Sequence, residues 1–482
     1  MMHKIAERGV GALLTTLVIL AALMFGGLAL LTRDAAAQTA PTTDWQRQLD
    51  SAVTAEMART MTPGVQVAVV HQGRVIYAKA YGAADVETSR PLTNASLLRI
   101  GSVTKMVTGA VAAELAEQGK LDLRAPISRY VPSLEGKRVG TVTTHQLLTH
   151  TAGWLDNAVA YGRMGEGALG EVMREVTDTM FSHAPGAIIS YSNPGFSMAG
   201  YVIERAAGER YASITDRMIL RPVGMPHATF RPLEAMVRDF SQGHMGMPGR
   251  AATMVRPFTE NTAQWAAGFL MASATDMARF AAMLMDGGVI DGQRVISEGA
   301  VRRMTTPDPR IPGDSTARYA YGLVIAEQQG LRIWQHGGSI NGFDAIVNMF
   351  PDEKLAVVVL DNRSGPSVSG ALPIVFRGVT GRALPASPAP PSAERLPTAD
   401  ERRAVVGQYK FGPMRIEIAE QGDSLVFRQA GASFGVRMLG NDRMKVMVPP
   451  MAQQANVLLV RGADGRVAFL HQGLRAIPRV EP

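Results

Sequence analysis

Strand patterns at the two ends of a long stretch of sequence, with helical patterns between them, constrain the fold most strongly. Residues 63–82 contain two runs of β-branched and aromatic residues around Gly73, which predicts a hairpin. Helical spacing of apolar residues follows over 102–120 and over much of 170–300. Strand patterns return at Tyr321–Ile325, Leu331–Gln335, Ala345–Phe350 and Leu355–Leu360. We therefore predict an α+β fold in which one antiparallel sheet, built from N- and C-terminal segments, is flanked by helices and joined to a mainly helical lobe.

A Pro-rich segment separates this region from the C-terminal residues. It reads ALPASPAPPSAERLP and is too rich in proline and small residues to bury a core, so it is expected to be an extended linker. Beyond it, β-like runs recur about every 8 to 12 residues, as in all-β modules. These runs lie at 414–419, 424–428, 434–439, 443–448, 456–461 and 466–470. The expected organisation is a first domain over 38–384, a linker over 385–398 and a small all-β, barrel-like domain over 399–482.

The N-terminal residues have the features of an export signal. Lys4 and Arg8 precede an apolar run over 10–31, and Ala35–Ala37 form a small-residue cleavage pattern. Residues 1–37 are therefore predicted to be a signal peptide, and the mature protein is expected to be periplasmic or secreted. The apolar run is nearly long enough to span a bilayer, so an uncleaved N-terminal membrane anchor remains the alternative.

Composition excludes several classes of function. The chain of 482 residues has no cysteine, which excludes disulfide frameworks, thiolate metal sites and a cysteine nucleophile. The net charge of +7 is spread along the chain without a basic run, so no nucleic-acid partner is expected. His145 and His150 are five residues apart, or about 140° around a helix, so satisfied structural histidines are expected there rather than a shared metal. Neither a metal nor another cofactor is predicted.

Ser102 and Lys105 form the first chemically suggestive motif. They follow a strand-like run and open a helical one, so Ser102 is expected at a helix N-terminus with Lys105 one turn later on the same face. The amine could take the proton of the serine hydroxyl, and the free N–H groups of the helix start could stabilise an oxyanion. The plain alternative is a serine that only caps the helix.

Tyr191 and Asn193 form a second motif, on an irregular loop before a helical stretch. This is the only Y-x-N among ten tyrosines. The phenol could relay a proton between the serine and a leaving group, while the amide could bind a substrate amide or steady Lys105. A surface tyrosine that anchors the loop is the alternative.

His336, Gly338 and Ser339 form a third motif, which we expect in a Gly-rich turn after the strand Leu331–Gln335. Glycine there would let substrate approach the backbone closely. The Ser339 N–H would then be a second oxyanion donor beside that of Ser102.

The order S-x-x-K, Y-x-N, H-x-G resembles the serine β-lactamase and penicillin-binding-protein superfamily, in its class C-like branch. The resemblance covers about Pro63 to Leu384, and further matching stretches lie at 119–123, 147–153 and 222–225. That branch includes β-lactamases, D-alanyl-D-alanine carboxypeptidases, D-amino-acid peptidases and esterases.

The resemblance implies a role for each motif residue. Ser102 would be the acylated nucleophile, Lys105 the base and Tyr191 the acid/base partner. Asn193 would bind a substrate amide, and His336 would be the third-motif residue. Free lysine and tyrosine have pKa values near 10, so either side chain needs a drop of about three units to act as a base at pH 7. The sequence leaves open which of the two holds the proton.

The third motif departs from the β-lactamase pattern, because Lys-Thr-Gly is replaced by His336-Gly337-Gly338. The replacement removes charge-assisted hydrogen bonds to a substrate carboxylate, each of which contributes about 1.5 to 3 kcal/mol to binding. The leading hypothesis is an exported serine hydrolase that acts through an acyl-enzyme on small esters or D-amino-acid-containing amides and peptides. One alternative is a class C-type β-lactamase or D-alanyl-D-alanine carboxypeptidase, and another is a non-catalytic cell-wall ligand sensor. Asn157 is a further candidate ligand from its position alone.

Overall fold

The computed structural model of the chain describes residues 43–157, 161–246, 249–306, 309–314, 316–365, 370–386, 393–448 and 455–480. Within these ranges, none of the helices combines the length and the apolar character needed to cross a bilayer. The predicted signal peptide over 1–37 lies outside the described residues.

A large antiparallel sheet joins the two ends of the first region. The strands of this region are β1 Gly64–His71, β2 Arg74–Asp85, β3 Arg90–Pro91, β4 Leu98–Arg99, β5 His244–Met245, β6 Thr253–Met254, β7 Met271–Ala272, β8 Val289–Ile290, β9 Gln293–Arg294, β10 Arg318–Tyr319, β11 Val324–Gln328, β12 Leu331–Ile340, β13 Phe343–Phe350 and β14 Leu355–Asp361. Eight of them form the sheet, in the order β10-β11-β12-β13-β14-β1-β2-β3. At its centre β1 pairs with β14, with Val67 opposite Val359. The predicted α+β sheet of N- and C-terminal segments is confirmed.

Most helices cover the sheet or build the region between its two halves, whereas the last one, Ala399–Val405, packs against the barrel core through Val405. They are α1 Asp44–Thr60, α2 Thr104–Glu117, α3 Thr144–Leu148, α4 Ala168–Arg174, α5 Asn193–Ala207, α6 Tyr211–Thr215, α7 Arg221–Val223, α8 Pro232–Met236, α9 Trp265–Gly268, α10 Ala274–Met285, α11 Glu298–Thr305, α12 Ala371–Thr380 and α13 Ala399–Val405. Helix α10 begins where Ser273 and Asp276 cap each other's backbone N–H groups. It packs across β1 and β14, both of which carry almost wholly buried side chains. The sheet thus provides a rigid base for the segments around it.

The third motif lies inside a strand, which corrects the expectation of a turn. Strand β12 continues from Leu331 to Ile340, and His336 and Ser339 pair with Val347 and Asp344 of β13. The glycines do not break the strand, because its partner supplies a continuous ladder. A similar shift occurs at the preceding strand, which spans Val324–Gln328 rather than Tyr321–Ile325.

The C-terminal residues form a closed antiparallel barrel of eight strands, which confirms the barrel-like prediction. The strands are β15 Gly407–Phe411, β16 Met414–Gln421, β17 Ser424–Gln429, β18 Ala432–Gly440, β19 Arg443–Val446, β20 Ala455–Arg461, β21 Val467–Gln472 and β22 Arg475–Val480. Pairing of Tyr409 with Arg479 joins the first strand to the last. Apolar side chains such as Leu425, Val436 and Met444 form its core.

Two barrel strands and one helix were not predicted from the sequence. Strands β15 and β22 contain several polar residues and a proline, so their alternation of apolar residues is weak. Residues Ala399–Val405 are helical rather than β, because Thr398 and Glu401 form a capping box at their start. The exact domain limits at 384 and 398 remain a prediction.

Candidate active site

Ser102 lies where a short strand turns into a buried helix. It is the middle residue of the 3-10 turn Gly101–Val103, which leads directly into α2. Gly101 has a φ of +50°, and a Cβ there would lie 2.7 Å from the Ser339 nitrogen. Glycine at 101 therefore lets the turn Gly101–Val103, called the serine turn below, pack tightly against strand β12.

Lys105 lies beneath Ser102 and is fully buried. Its Nζ donates hydrogen bonds to Ser102 Oγ at 3.1 Å, to Asn193 Oδ1 at 2.6 Å and to the Ala267 carbonyl oxygen at 2.6 Å. Burial lowers the pKa of this amine from 10.5 to about 7. A large fraction of Lys105 is therefore neutral at physiological pH, with its nitrogen in contact with the serine hydroxyl.

Tyr191 completes a three-residue cluster with Ser102 and Lys105. Its hydroxyl lies beside the Ser102 side chain, and this contact lowers the pKa of the phenol. The Lys105 nitrogen lies 4.8 Å from the centre of the phenol ring. Burial raises the pKa of the Tyr191 hydroxyl well above its usual value of 10. Burial therefore shifts the two pKa values in opposite directions: near pH 7 the phenol keeps its proton, whereas a large fraction of the amine has lost its own.

Asn193 is the first residue of α5, and both ends of its side-chain amide already have protein partners. The oxygen accepts from Lys105, and the amide nitrogen donates to Asp156 Oδ1 at 3.0 Å. The Asn193 backbone N–H donates to the same oxygen at 3.0 Å. These contacts support one of the two roles considered for Asn193, that of steadying Lys105. Binding of a substrate amide remains a prediction.

Asp156 and Arg475 belong to this cluster, although no sequence motif points to either of them. Only 5% of the Asp156 side chain is exposed, and its Oδ2 accepts from Arg475 Nε at 2.9 Å. The guanidinium carbon lies 5.5 Å from the Tyr191 ring centre. The neighbouring candidate Asn157 instead directs its amide toward Met180 Sδ at 3.9 Å. The two ion-pair partners are 319 residues apart, and no local motif links them.

The last hairpin of the barrel contacts the backbone beside the phenol. The Tyr191 N–H donates to the Leu474 carbonyl oxygen at 2.7 Å, and the Ala476 N–H donates to Ser190 Oγ at 3.2 Å. The barrel therefore forms one wall of the site, although its strands lie far from the motifs in sequence.

His336 lies near this cluster as a neutral side chain. Its ring nitrogens contact the Tyr319 hydroxyl at 2.8 Å and the Gly337 carbonyl oxygen at 2.6 Å. Burial, with a smaller effect from the Lys105 charge, lowers the pKa of His336 to about 3. The imidazole is therefore uncharged in the ordinary pH range.

Gly338 and Ser339 bring the backbone of β12 against the serine turn. A Cβ on Gly338 would lie 2.1 Å from the Ile100 carbonyl oxygen and 2.9 Å from the Ser102 nitrogen. Ser339 pairs with Asp344 on the next strand, and its side chain lies beside that carboxyl group. The structure thus brings all seven residues proposed from the motifs into one region. The described ranges contain no group of three metal-ligating side chains.

Comparisons with known proteins identify the family. The family model described as Beta-lactamase matches residues 49–378. The protein flp of Staphylococcus aureus strain COL is 23% identical over 326 residues, which cover 67% of this chain and 64% of flp. The D-aminopeptidase of Gluconobacter oxydans strain 621H is 28% identical over 318 residues, which cover 65% of this chain and 58% of that enzyme.

A solved structure resembles the chain beyond the region of the family match. The crystal structure of SurE has a TM-score of 0.74 and 25% identity, and the likeness covers 90% of this chain and 99% of that chain. The chain spans less than two thirds of the length of the two curated relatives above. The family match over residues 49–378 nevertheless includes all three motifs and confirms the resemblance they suggested. The chain belongs to the β-lactamase family.

Proposed function

We propose that this protein is an exported serine hydrolase that acts through an acyl-enzyme on small esters or D-amino-acid-containing amides and peptides. The observation that carries the proposal is the position of Ser102 Oγ, 3.1 Å from Lys105 Nζ and beside the Tyr191 hydroxyl. A serine hydroxyl is a weak nucleophile until a neighbouring base takes its proton. The relative named D-aminopeptidase supports the amide part of this range.

Acylation follows from these contacts. Neutral Lys105 takes the hydroxyl proton while Ser102 Oγ bonds to the substrate carbonyl carbon, whose oxygen becomes an oxyanion. The N–H groups of Ser102 and Ser339, which lie on facing backbone segments, would hold that oxyanion. Tyr191 gives its proton to the leaving alcohol or amine and regains one from the Lys105 ammonium as the carbon–leaving-group bond breaks.

Deacylation reverses this proton path. Lys105, again neutral, takes a proton from water through the Tyr191 hydroxyl, and the resulting hydroxide attacks the acyl carbon. The second tetrahedral intermediate then releases the carboxylic acid, and Ser102 regains its proton. The net reaction consumes one water for each ester or amide bond.

The neutral His336 favours substrates without a carboxylate next to the cleaved bond. An uncharged imidazole whose two nitrogens have protein partners cannot replace the ammonium of a Lys-Thr-Gly motif. Esters and peptides without that carboxylate should therefore bind better than β-lactams. A class C-type β-lactamase or a D-alanyl-D-alanine carboxypeptidase is the alternative outcome.

Three substrates separate these functions: a p-nitrophenyl ester, a fluorescent penicillin and a D-Ala-D-Ala peptide, each with Ser102→Ala as the control. We expect ester turnover that disappears in the variant, together with slow penicillin labelling. Fast penicillin hydrolysis or fast release of D-alanine would instead identify the alternative. A protein inert toward all three, with no inhibitor adduct on Ser102 by mass spectrometry, would contradict the proposal.

The rate of ester hydrolysis should rise with pH through about 7. Only neutral Lys105 can accept the serine proton, and burial lowers its pKa to about 7. Below that pH the amine is charged and kcat/KM should fall about tenfold per pH unit. The measurement is kcat/KM from pH 5.5 to 9, and a rate that is flat or falls across this range would contradict the assignment of Lys105.

The ion pair of Asp156 and Arg475 should tune this pH midpoint. The Arg475 charge lowers the Lys105 pKa and the Asp156 charge raises it. Arg475→Met should therefore move the midpoint to higher pH and lower the rate at pH 7 a few-fold, whereas Asp156→Asn should move it to lower pH. Arg475→Lys keeps the charge and is the control. Shifts of the same sign in the two neutralised variants would rule out this electrostatic effect.

Export is proposed from the sequence of residues 1–37. The test is the N-terminal sequence of the protein recovered from the periplasm or medium of cells that express the full chain. Cleavage after Ala37 is expected. An intact N-terminus in the membrane fraction would identify the anchor, and an intact cytoplasmic protein would contradict export.

A further inference from the structure

His150 is a buried side chain that no step above uses, and it packs directly against the phenol. Its ring centre lies 4.2 Å from that of Tyr191, 4.6 Å from that of Tyr319 and 5.0 Å from that of Phe196. Only 2% of the residue is exposed. A side chain so placed controls the space available to the Tyr191 ring.

His150 also holds the two residues that flank Tyr191 in the chain. The Ser190 N–H donates to the His150 carbonyl oxygen at 2.8 Å. The Ser192 N–H donates to His150 Nδ1 at 3.1 Å. The backbone on both sides of the phenol is therefore fixed by one residue, once through its main chain and once through its imidazole.

The hydrogen bond to Ser192 determines the protonation of the ring. Since a backbone N–H can only donate, Nδ1 must accept, and the proton of the neutral ring lies on Nε2. Nε2 is buried and has no hydrogen-bond partner among the described residues. The sequence instead predicts a structural histidine whose ring nitrogens are both hydrogen-bonded. Burial, together with the positive charges of Lys105 and Arg475, holds the pKa of His150 well below its usual range.

Packing alone does not explain a histidine at this position. A phenylalanine could contact the same three rings without burying an unpaired N–H, which costs free energy. The backbone there has a φ of +57°, a region that histidine and asparagine enter more readily than most residues. The Ser192 hydrogen bond is the contact that requires a nitrogen or oxygen acceptor at the Nδ1 position.

We propose that His150 is a positioning residue for Tyr191. Its Nδ1 and its ring hold the Tyr191 side chain so that the phenol hydroxyl faces Ser102. The inference rests on the proposed function, because it assigns His150 an effect on the proton transfers of Tyr191. A displacement of about 1 Å in such a group can lower the rate about a hundredfold.

The test compares two amide variants that differ in where they offer an acceptor. In His150→Asn the side-chain oxygen falls near the Nδ1 position, whereas in His150→Gln it falls near Nε2. We expect His150→Asn to keep kcat for a p-nitrophenyl ester within about threefold of the wild type and His150→Gln to lose about tenfold to a hundredfold. KM should change little in both, since no substrate contact is assigned to His150.

The matched control is the same pair at His145, five residues earlier, whose Nδ1 contacts the Tyr321 hydroxyl at 2.8 Å. Both His145 variants should keep wild-type kcat. Equal kcat in His150→Asn and His150→Gln, or a loss of kcat/KM that comes only from KM, would overturn the inference. A His150→Asn variant as inactive as Ser102→Ala would also overturn it, even where His150→Gln does not fold. A wild type that is inert in the same assay marks failure of the proposed function itself, whereas an active wild type with unaffected His150 variants marks failure of this inference alone.

Discussion

Replacing Lys105 with methionine is expected to lower kcat/KM for ester hydrolysis about 10²- to 10⁴-fold, the range that a positioned acid/base group contributes. Methionine keeps the length and apolar stem of the side chain in its buried position but has no amine. Ser102 Oγ then loses the group 3.1 Å away that can take its proton. The measurement is the rate of adduct formation with a covalent serine inhibitor, followed by intact mass, together with steady-state ester turnover.

The control for Lys105→Met is Lys79→Met, at an exposed strand position where the amine pairs with Asp50 at 2.8 Å. That variant should retain wild-type turnover. Thermal unfolding followed by circular dichroism establishes that both variants are folded at the assay temperature. The double variant with Ser102→Ala should be no less active than Ser102→Ala alone, because the two groups act as one unit. Near-normal turnover in folded Lys105→Met would refute the role of the amine.

Gly338→Ala is expected to have the second large effect. The added Cβ would lie 2.1 Å from the Ile100 carbonyl oxygen, a distance that no backbone can accept without moving. Strand β12 and the serine turn must separate, which should cost about 1 to 3 kcal/mol of stability and, through misplacement of Ser102, about a hundredfold in kcat. Denaturant unfolding and ester kinetics measure the two effects.

Gly337→Ala provides a matched control one residue away. At that position the nearest atom to an added Cβ is the Ala345 carbonyl oxygen at 3.9 Å, an ordinary contact. We expect stability within about 0.5 kcal/mol of the wild type, as for other surface substitutions, and unchanged kcat. If Gly338→Ala and Gly337→Ala have the same stability and the same kcat, the close approach of β12 to the serine turn does not explain the glycine at position 338.

Much of the fold could be predicted because its signals are local. The hairpin of β1 and β2 and most barrel strands follow from β-rich runs and turn residues, which act over a few neighbours. Strands β15 and β22 escaped prediction because tertiary pairing, rather than their own weak pattern, keeps them extended. The third motif was expected in a turn for a similar reason, since glycines that favour turns in isolation are held in β12 by the ladder with β13.

Within the site, the motif residues could be predicted, whereas their protonation and support could not. The spacing of Ser102 and Lys105 on one helix turn is a property of the sequence. The choice between amine and phenol as the base is not, because it depends on how completely each group is buried. The structure lowers the pKa of Lys105 and raises that of Tyr191 through the same desolvation, which favours the neutral form of both.

The sequence by itself determined the three motifs, the order of the β and helical regions and the residue types available for acyl transfer. These features depend on neighbouring residues, whose geometry a regular helix or strand sets. Only the tertiary structure revealed that Asp156 holds Asn193, that Arg475 of the barrel pairs with Asp156, and that His150 supports the backbone around Tyr191. Such contacts join segments up to 319 residues apart. No local sequence pattern predicts them, because they form only when distant segments of the chain pack together.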